Sequence, residues 1–334
     1  MTTPPYAITL GTAGGPRWWR HRGSPVRTGI ATALVVEGRV YLVDCGYGAG
    51  RQLVQAGFGL NDVEAIFLTH LHSDHVVDLT SIALFSTFEI TDEREPILLL
   101  GPGDRGVLPP TSPHKPPSPH PVGRSSTTPG TAETLSRIVE AHATDLNERI
   151  LDALRPSPLE VIHARDIVLP ATLGFHANDN PVPDMDPLVV HEDTRVRVSA
   201  ILVEHPPMAP AYGYRFDTDG GSMVISGDTA FTPNMVTLAK DADLLLHEAI
   251  DLDWLLSEFP DPKDPGARAV RAHHERSHTS VADTLRVANE SGARHLALHH
   301  LVPGTSGPAL QRQLPATGGL TVSVPDDLDI IPLR

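Results

Sequence analysis

Four candidate metal ligands fall within six residues, His70-Leu71-His72-Ser73-Asp74-His75, directly after the apolar run Ala65–Leu68. A run that short reads as a buried β-strand, and α/β sheets carry their sites where strands end. Alternate side chains of an extended segment point the same way. His70 and His72 can therefore chelate one ion, while the turn after them presents Asp74 and His75 to a second. The fold must place this strand end where a cation can reach it.

The rest of the chain fits an α/β parse. Tyr6–Leu10, Ala31–Val36 and Val40–Val43 read as strands, the last two a hairpin through Glu37-Gly38, and residues 48–57 as a short helix stopped by Gly57. Near residue 92 the character changes. Residues 101–130 hold a Pro/Gly/Ser cluster (VLPPTSPHKPPSPHPVGRSSTTPG) too rich in proline for regular ladders. Leu135, Ile138, His142, Leu146, Ile150 and Leu154 then recur at near-helical spacing, which predicts one amphipathic helix ended by Pro156. Alternation resumes at Arg195–Val203, followed by strand-like Tyr212–Phe216, Met223–Ile225, Asp243–Leu246 and Ala293–Leu298, with helices near 233–240 and 279–291. The simplest reading is a single domain over residues 1–334 with an insertion, or cap, at about 92–190. The insertion's His114, His120, His142, His163, His176 and His191 show no metal spacing and read as surface or turn residues.

Composition narrows the function. Lys+Arg 26 against Asp+Glu 41 leaves a net charge of −15, a field that repels a polyanion and makes nucleic acid a disfavoured partner. No apolar run approaches the roughly 18 residues of a membrane helix. The N-terminus lacks a leader-like pattern, and the lone cysteine, Cys45, cannot form an internal disulfide; the expectation is a cytoplasmic protein.

The hexad resembles the HxHxDH hallmark of the metallo-β-lactamase fold superfamily, and the likeness continues downstream. Val203-Glu204-His205, Ser226-Gly227-Asp228-Thr229, Leu246-His247-Glu248-Ala249, His278-Thr279-Ser280 and Leu298-His299-His300 follow in an order similar to that of the ribonuclease Z group and its small-molecule-hydrolase relatives. The resemblance implies an αββα four-layer sandwich, two mixed β-sheets flanked by helices. It implies that His70, His72 and His205 hold one metal ion, that Asp74, His75 and His300 hold a second, and that Asp228 bridges them. It also implies that two divalent cations, zinc by default with Mn2+ or Fe2+ as alternatives, activate a bridging water, which Asp74 orients. By the same likeness His278 protonates the leaving group or steadies an oxyanion, with Glu248 or His247 orienting it. Asp44 corresponds to a buried, loop-organising aspartate. Trp18 and Trp19, in a glycine-bounded loop, are candidates for an aromatic wall of the substrate pocket.

One departure bears on the substrate. Ribonuclease Z proteins carry a tRNA-gripping arm between the third histidine and the bridging aspartate, whereas here His205 and Asp228 are 23 positions apart, enough only for a hairpin. The expected activity is therefore hydrolysis of a small ester, lactone, sulfate ester or phosphodiester. tRNA 3′-processing and a non-hydrolytic metal-dependent binding or biosynthetic role are the alternatives. A homodimer is compatible with the resemblance.

Overall fold

The computed structural model describes residues 4–19, 26–90, 94–111, 113, 121–123, 126–260, 263–314 and 319–333. Among these, fourteen strands form two seven-stranded sheets. In the first, β1 (Tyr6–Gly11), β2 (Ala31–Val36), β3 (Arg39–Val43), β4 (Val63–Phe67), β5 (Ile97–Pro102) and β6 (Ile162–Ile167) lie side by side in chain order. The second follows the same rule with β7 (Leu188–Glu192), β8 (Arg197–Leu202), β9 (Tyr212–Thr218), β10 (Gly221–Ile225), β11 (Leu244–Ile250), β12 (His295–Val302) and β13 (Thr321–Ser323). β14 (Ile330–Pro332) returns to pair with β1. Each sheet is mixed. β1 to β3 are antiparallel and β3 to β6 parallel, just as β7 to β10 are antiparallel and β10 to β13 parallel.

Strands covered on both faces need near-continuous apolar runs, and β4 (VEAIF) and β11 (LLLHEAI) have them. Between the sheets, Phe67 meets Tyr214 and Phe216 with ring centroids 5.5 and 5.3 Å apart, a tilted and an edge-on contact suited to ring quadrupoles. Outside the first sheet, Leu42 and Ile66 pack with Leu53, Leu79 and Leu135 from helices Ala49–Gln55, Leu79–Glu89 and Thr131–Ala141. Outside the second, Val224 and Leu245 pack with Leu238 and Val287 from helices Pro233–Leu238 and Val281–Ser291. The four layers are those of the αββα sandwich.

Two local readings change. The helix expected over 131–154 is two helices, Thr131–Ala141 and Ala143–Leu151, joined at His142. There the backbone amide bonds Val139 at 3.1 Å while the imidazole takes the Ile138 carbonyl at 2.9 Å, the acceptor a continuing helix would have used. The region 92–190 does not lie wholly outside the sandwich, because it supplies β5, β6 and β7 and the crossover helices between β5 and β6. Part of the proline-rich stretch, with His114 and His120, lies outside the described residues.

Candidate active site

The two sheets bring their strand ends to one rim. After β4 the chain bends at Thr69, is extended at His72 and turns into the helix Ser73–Val76, which puts Asp74 and His75 in its single turn. From the second sheet, His205 follows β8 and Asp228 follows β10. At Gly227 the backbone is left-handed (φ +60°), and a Cβ there would stand 2.6 Å from the Tyr212 carbonyl, so the turn that delivers Asp228 needs glycine. His300 lies within β12 at φ +45°, where the pairing with β11 slips between Glu248 and Ala249. That bulge breaks the strand's alternation. It turns His300 toward the rim and leaves His299 against Thr32, 3.5 Å from its hydroxyl.

All seven residues implied as ligands converge. The ligating atoms of His70, His72, His205 and Asp228 lie within 4.8 Å of one another, as do those of Asp74, His75, Asp228 and His300. His72 Nδ1 is 3.0 Å from His70 Nε2 and 3.1 Å from His205 Nε2, and His75 Nε2 is 3.2 Å from His300 Nε2. Asp228 faces both groups: Oδ2 is 3.9 Å from His70 and 3.7 Å from His205, and Oδ1 is 3.3 Å from His75 and 3.2 Å from His300.

Hydrogen bonds behind the cluster fix the imidazole tautomers. His75 Nδ1 donates to Asp44 Oδ2 at 2.8 Å, and His205 Nδ1 to the Ser277 carbonyl at 2.8 Å. The Thr69 hydroxyl donates to Asp44 at 2.8 Å and so accepts from His70 Nδ1 at 3.1 Å. Each bond leaves an Nε2 lone pair pointing inward, as ligation requires. Burial and the neighbouring imidazoles push His70 and His205 well below the ordinary histidine value, keeping them neutral. Burial alone would raise Asp228, but His300 and His75 outweigh it and hold the carboxyl well below its usual range. Asp228 Oδ1 and His300 Nδ1 are buried without a hydrogen-bond partner. Two neutral imidazoles, His70 and His205, beside the ionised Asp228, with an orphaned carboxylate oxygen among them, offer the donor atoms a divalent cation fits.

Beside the cluster, His278 Nδ1 donates to Glu248 Oε1 at 3.1 Å, and the same oxygen accepts from the amides of Thr229 and Thr279, each at 3.1 Å. Burial works against the charged imidazole, yet Glu248 outweighs it and raises His278 to about 9. His247 does not join them. Neighbours on β11 face opposite sides, and its Nδ1 turns to the Glu248 carbonyl at 2.8 Å. The tryptophans also part company. Trp19 lines the cavity above the cluster, donating to Gly14 at 2.7 Å and meeting Trp254 edge-on at 5.8 Å, whereas Trp18 is 80% exposed and is no part of that wall.

That cavity has a volume of about 260 Å3 and is also lined by Arg17, His273 and His274, none of which the sequence reading singled out. The histidine doublet sits on the helix Pro265–Ser277, about one turn before His278, a spacing that could have flagged it. Burial pushes His273 down to about 4 and His274 to about 3. None of the insertion's described histidines reaches the cluster groups.

A buried His/Asp cluster at the shared rim of an αββα sandwich defines a divalent-metal hydrolase. The chain belongs to the metallo-beta-lactamase superfamily, whose model matches residues 26–292, and stands with its ribonuclease Z-like group. A ribonuclease Z of Mycobacterium marinum (strain ATCC BAA-535 / M) is 29% identical over 287 residues, covering 84% of each chain. One from Mycobacterium sp. (strain KMS) is 30% identical over 285 residues, 84% of this chain and 82% of its own. Among solved structures, the short form of human tRNase Z shares the fold with a TM-score of 0.62 at 20% identity, covering 98% of this chain and 99% of that one. A diphosphatase of the PhnP family gives 0.58 at 15% identity, covering 98% and 97%.

Proposed function

We propose that this protein hydrolyses phosphodiesters at a two-metal centre, with His70, His72 and His205 on one ion, Asp74, His75 and His300 on the other, and Asp228 between them. The observation that carries this reading is the placement of Asp228, one oxygen toward each group. Divalent ions held there, zinc by default, would supply a Lewis acid for the phosphoryl oxygen and lower the pKa of a water. Asp74 accepts from the Gly15 amide at 2.9 Å, which fixes its carboxylate at the mouth of the cluster, where it can orient the attacking water. His278, oriented through Nδ1 by Glu248, keeps a hydrogen on Nε2 to give to the departing alkoxide. Trp19 and the histidine doublet close the cavity around the substrate.

Two observations bear on substrate size. Relatives named ribonuclease Z support RNA 3′-end cleavage, which returns nucleic acid to the list of partners that net charge had disfavoured. The link from His205 to Asp228 is filled by the short β9–β10 hairpin, which leaves no room for a gripping arm and supports a small phosphodiester.

The test is elemental analysis of protein purified without added metal, paired with turnover of bis-p-nitrophenyl phosphate, p-nitrophenyl phosphate, sulfate and acetate, a lactone, and a tRNA precursor. The expected result is about two divalent ions per chain and diester cleavage that Asp228→Ala abolishes with the circular dichroism spectrum retained. Hydrolysis of the lactone or sulfate alone would overturn the diester reading. Salt-sensitive precursor cleavage would select RNA.

A further inference from the structure

Beside the cavity over the cluster, and sharing His72 with it, lies a second hollow of about 350 Å3, walled by Leu71, Pro102, Pro129, Met208 and Pro210, with exposed Thr127 on its rim. Arg105 also lines this groove, but its guanidinium is committed to the wall. It donates to the carbonyls of Pro207 at 2.6 Å and Ala209 at 3.4 Å, and to the Asn178 side chain. These bonds tie the loop after His205 to the loop after β5 and hold the groove open. A track for RNA would present cations to successive phosphates. This wall presents carbon.

We propose that the groove takes an apolar alkyl or aryl arm of a substrate whose phosphodiester lies at the metal cluster, so that the enzyme prefers small diesters carrying such an arm. The proposal rests on the phosphodiesterase reading, and His72 is its anchor, because this residue lines both hollows and its neighbour Leu71 lines the second. Apolar burial in a preformed groove gives affinity without new hydrogen bonds.

Calorimetric titration of the metal-loaded protein with methylphosphonate and with 3-phenylpropylphosphonate tests the groove apart from turnover. The phenylpropyl compound should bind about tenfold more tightly or better, with a more negative heat-capacity change. Thr127→Trp, which fills the rim, should erase the difference at unchanged metal content, and Met208→Ala should reduce it. Equal affinities for the two phosphonates would overturn the proposal whatever the enzyme turns over, and so would a difference that survives Thr127→Trp and Met208→Ala together. Parallel assays with methyl and phenylpropyl p-nitrophenyl phosphate separate the two readings. Preferential binding with neither diester cleaved would sink the phosphodiesterase and leave the groove, whereas cleavage of both with equal binding would do the reverse.

Discussion

Asp44 Oδ2 stands 2.8 Å from His75 Nδ1, and Asp44 Oδ1 2.8 Å from the Thr69 amide. One buried carboxylate thus sets the tautomer of His75 directly and that of His70 through the Thr69 hydroxyl. Asp44→Asn replaces an acceptor by an amide that can donate, and metal affinity should fall about 10- to 100-fold with the fold intact. Competition against a chelating dye would measure it. Affinity unchanged within a factor of two would show that the tautomers are set elsewhere.

Glu248 and His278 should act as a unit. His278→Asn and Glu248→Gln are each expected to lower kcat by about 10²–10⁴ on a diester with an alkoxide leaving group, and much less on one releasing p-nitrophenolate. The double variant should cost little more than either single one. Equal losses on both leaving groups would point to a structural role for the pair.

Gly14 lies against the His300 ring, where a Cβ would come within 2.5 Å of the imidazole. Gly14→Ala must therefore move His300. We expect partial loss of bound metal with a thermal midpoint close to that of the metal-free parent, read by elemental analysis and calorimetry. Full metal occupancy in the variant would contradict this.

Far from the rim, the Tyr41 hydroxyl donates to Asp193 Oδ2 at 2.6 Å. Burial would raise the Asp193 carboxyl, but this bond, with the amides of Arg195 and Val196, lowers it below the usual carboxylate range. A carboxyl lowered by folding stabilises above its unfolded value near 3.9, and that contribution is lost as pH falls through the folded one. Tyr41→Phe should cost about 1 kcal/mol at pH 7. Urea unfolding at pH 7 and pH 3 should show the gap between parent and variant narrowing in acid; a gap that widens would reverse the assignment.

The sequence carried the hexad and the order of the strand-end motifs, because each depends on local apolar patterning and on residues adjacent in the chain; the sandwich came with the family likeness those motifs bear. It could not choose between His247 and Glu248, since two neighbours on a strand face opposite ways and only the sheet says which side is the rim. His300 over His299 came from family likeness; the physical reason is a bulge that no periodicity reveals. His273 and His274 were missed because the helix that carries them lies in a stretch with no clear apolar stripe. The break at His142 turns on one imidazole displacing a backbone amide, a competition invisible to spacing.

The two sheets share no strand, and at the rim the residues after β4 stand on one side while His205, Asp228 and His300 stand on the other. Cations seated between them would cross-link the halves without a covalent bond. Ligands that bind only the folded chain add stability in proportion to the logarithm of their excess over Kd, about 2.7 kcal/mol at a hundredfold. A chelator should therefore lower the unfolding midpoint as well as stop turnover, with hydrogen exchange quickening first around the hexad and His300. Withdrawal of divalent ions thus bears on how long this chain persists folded, not only on whether it reacts.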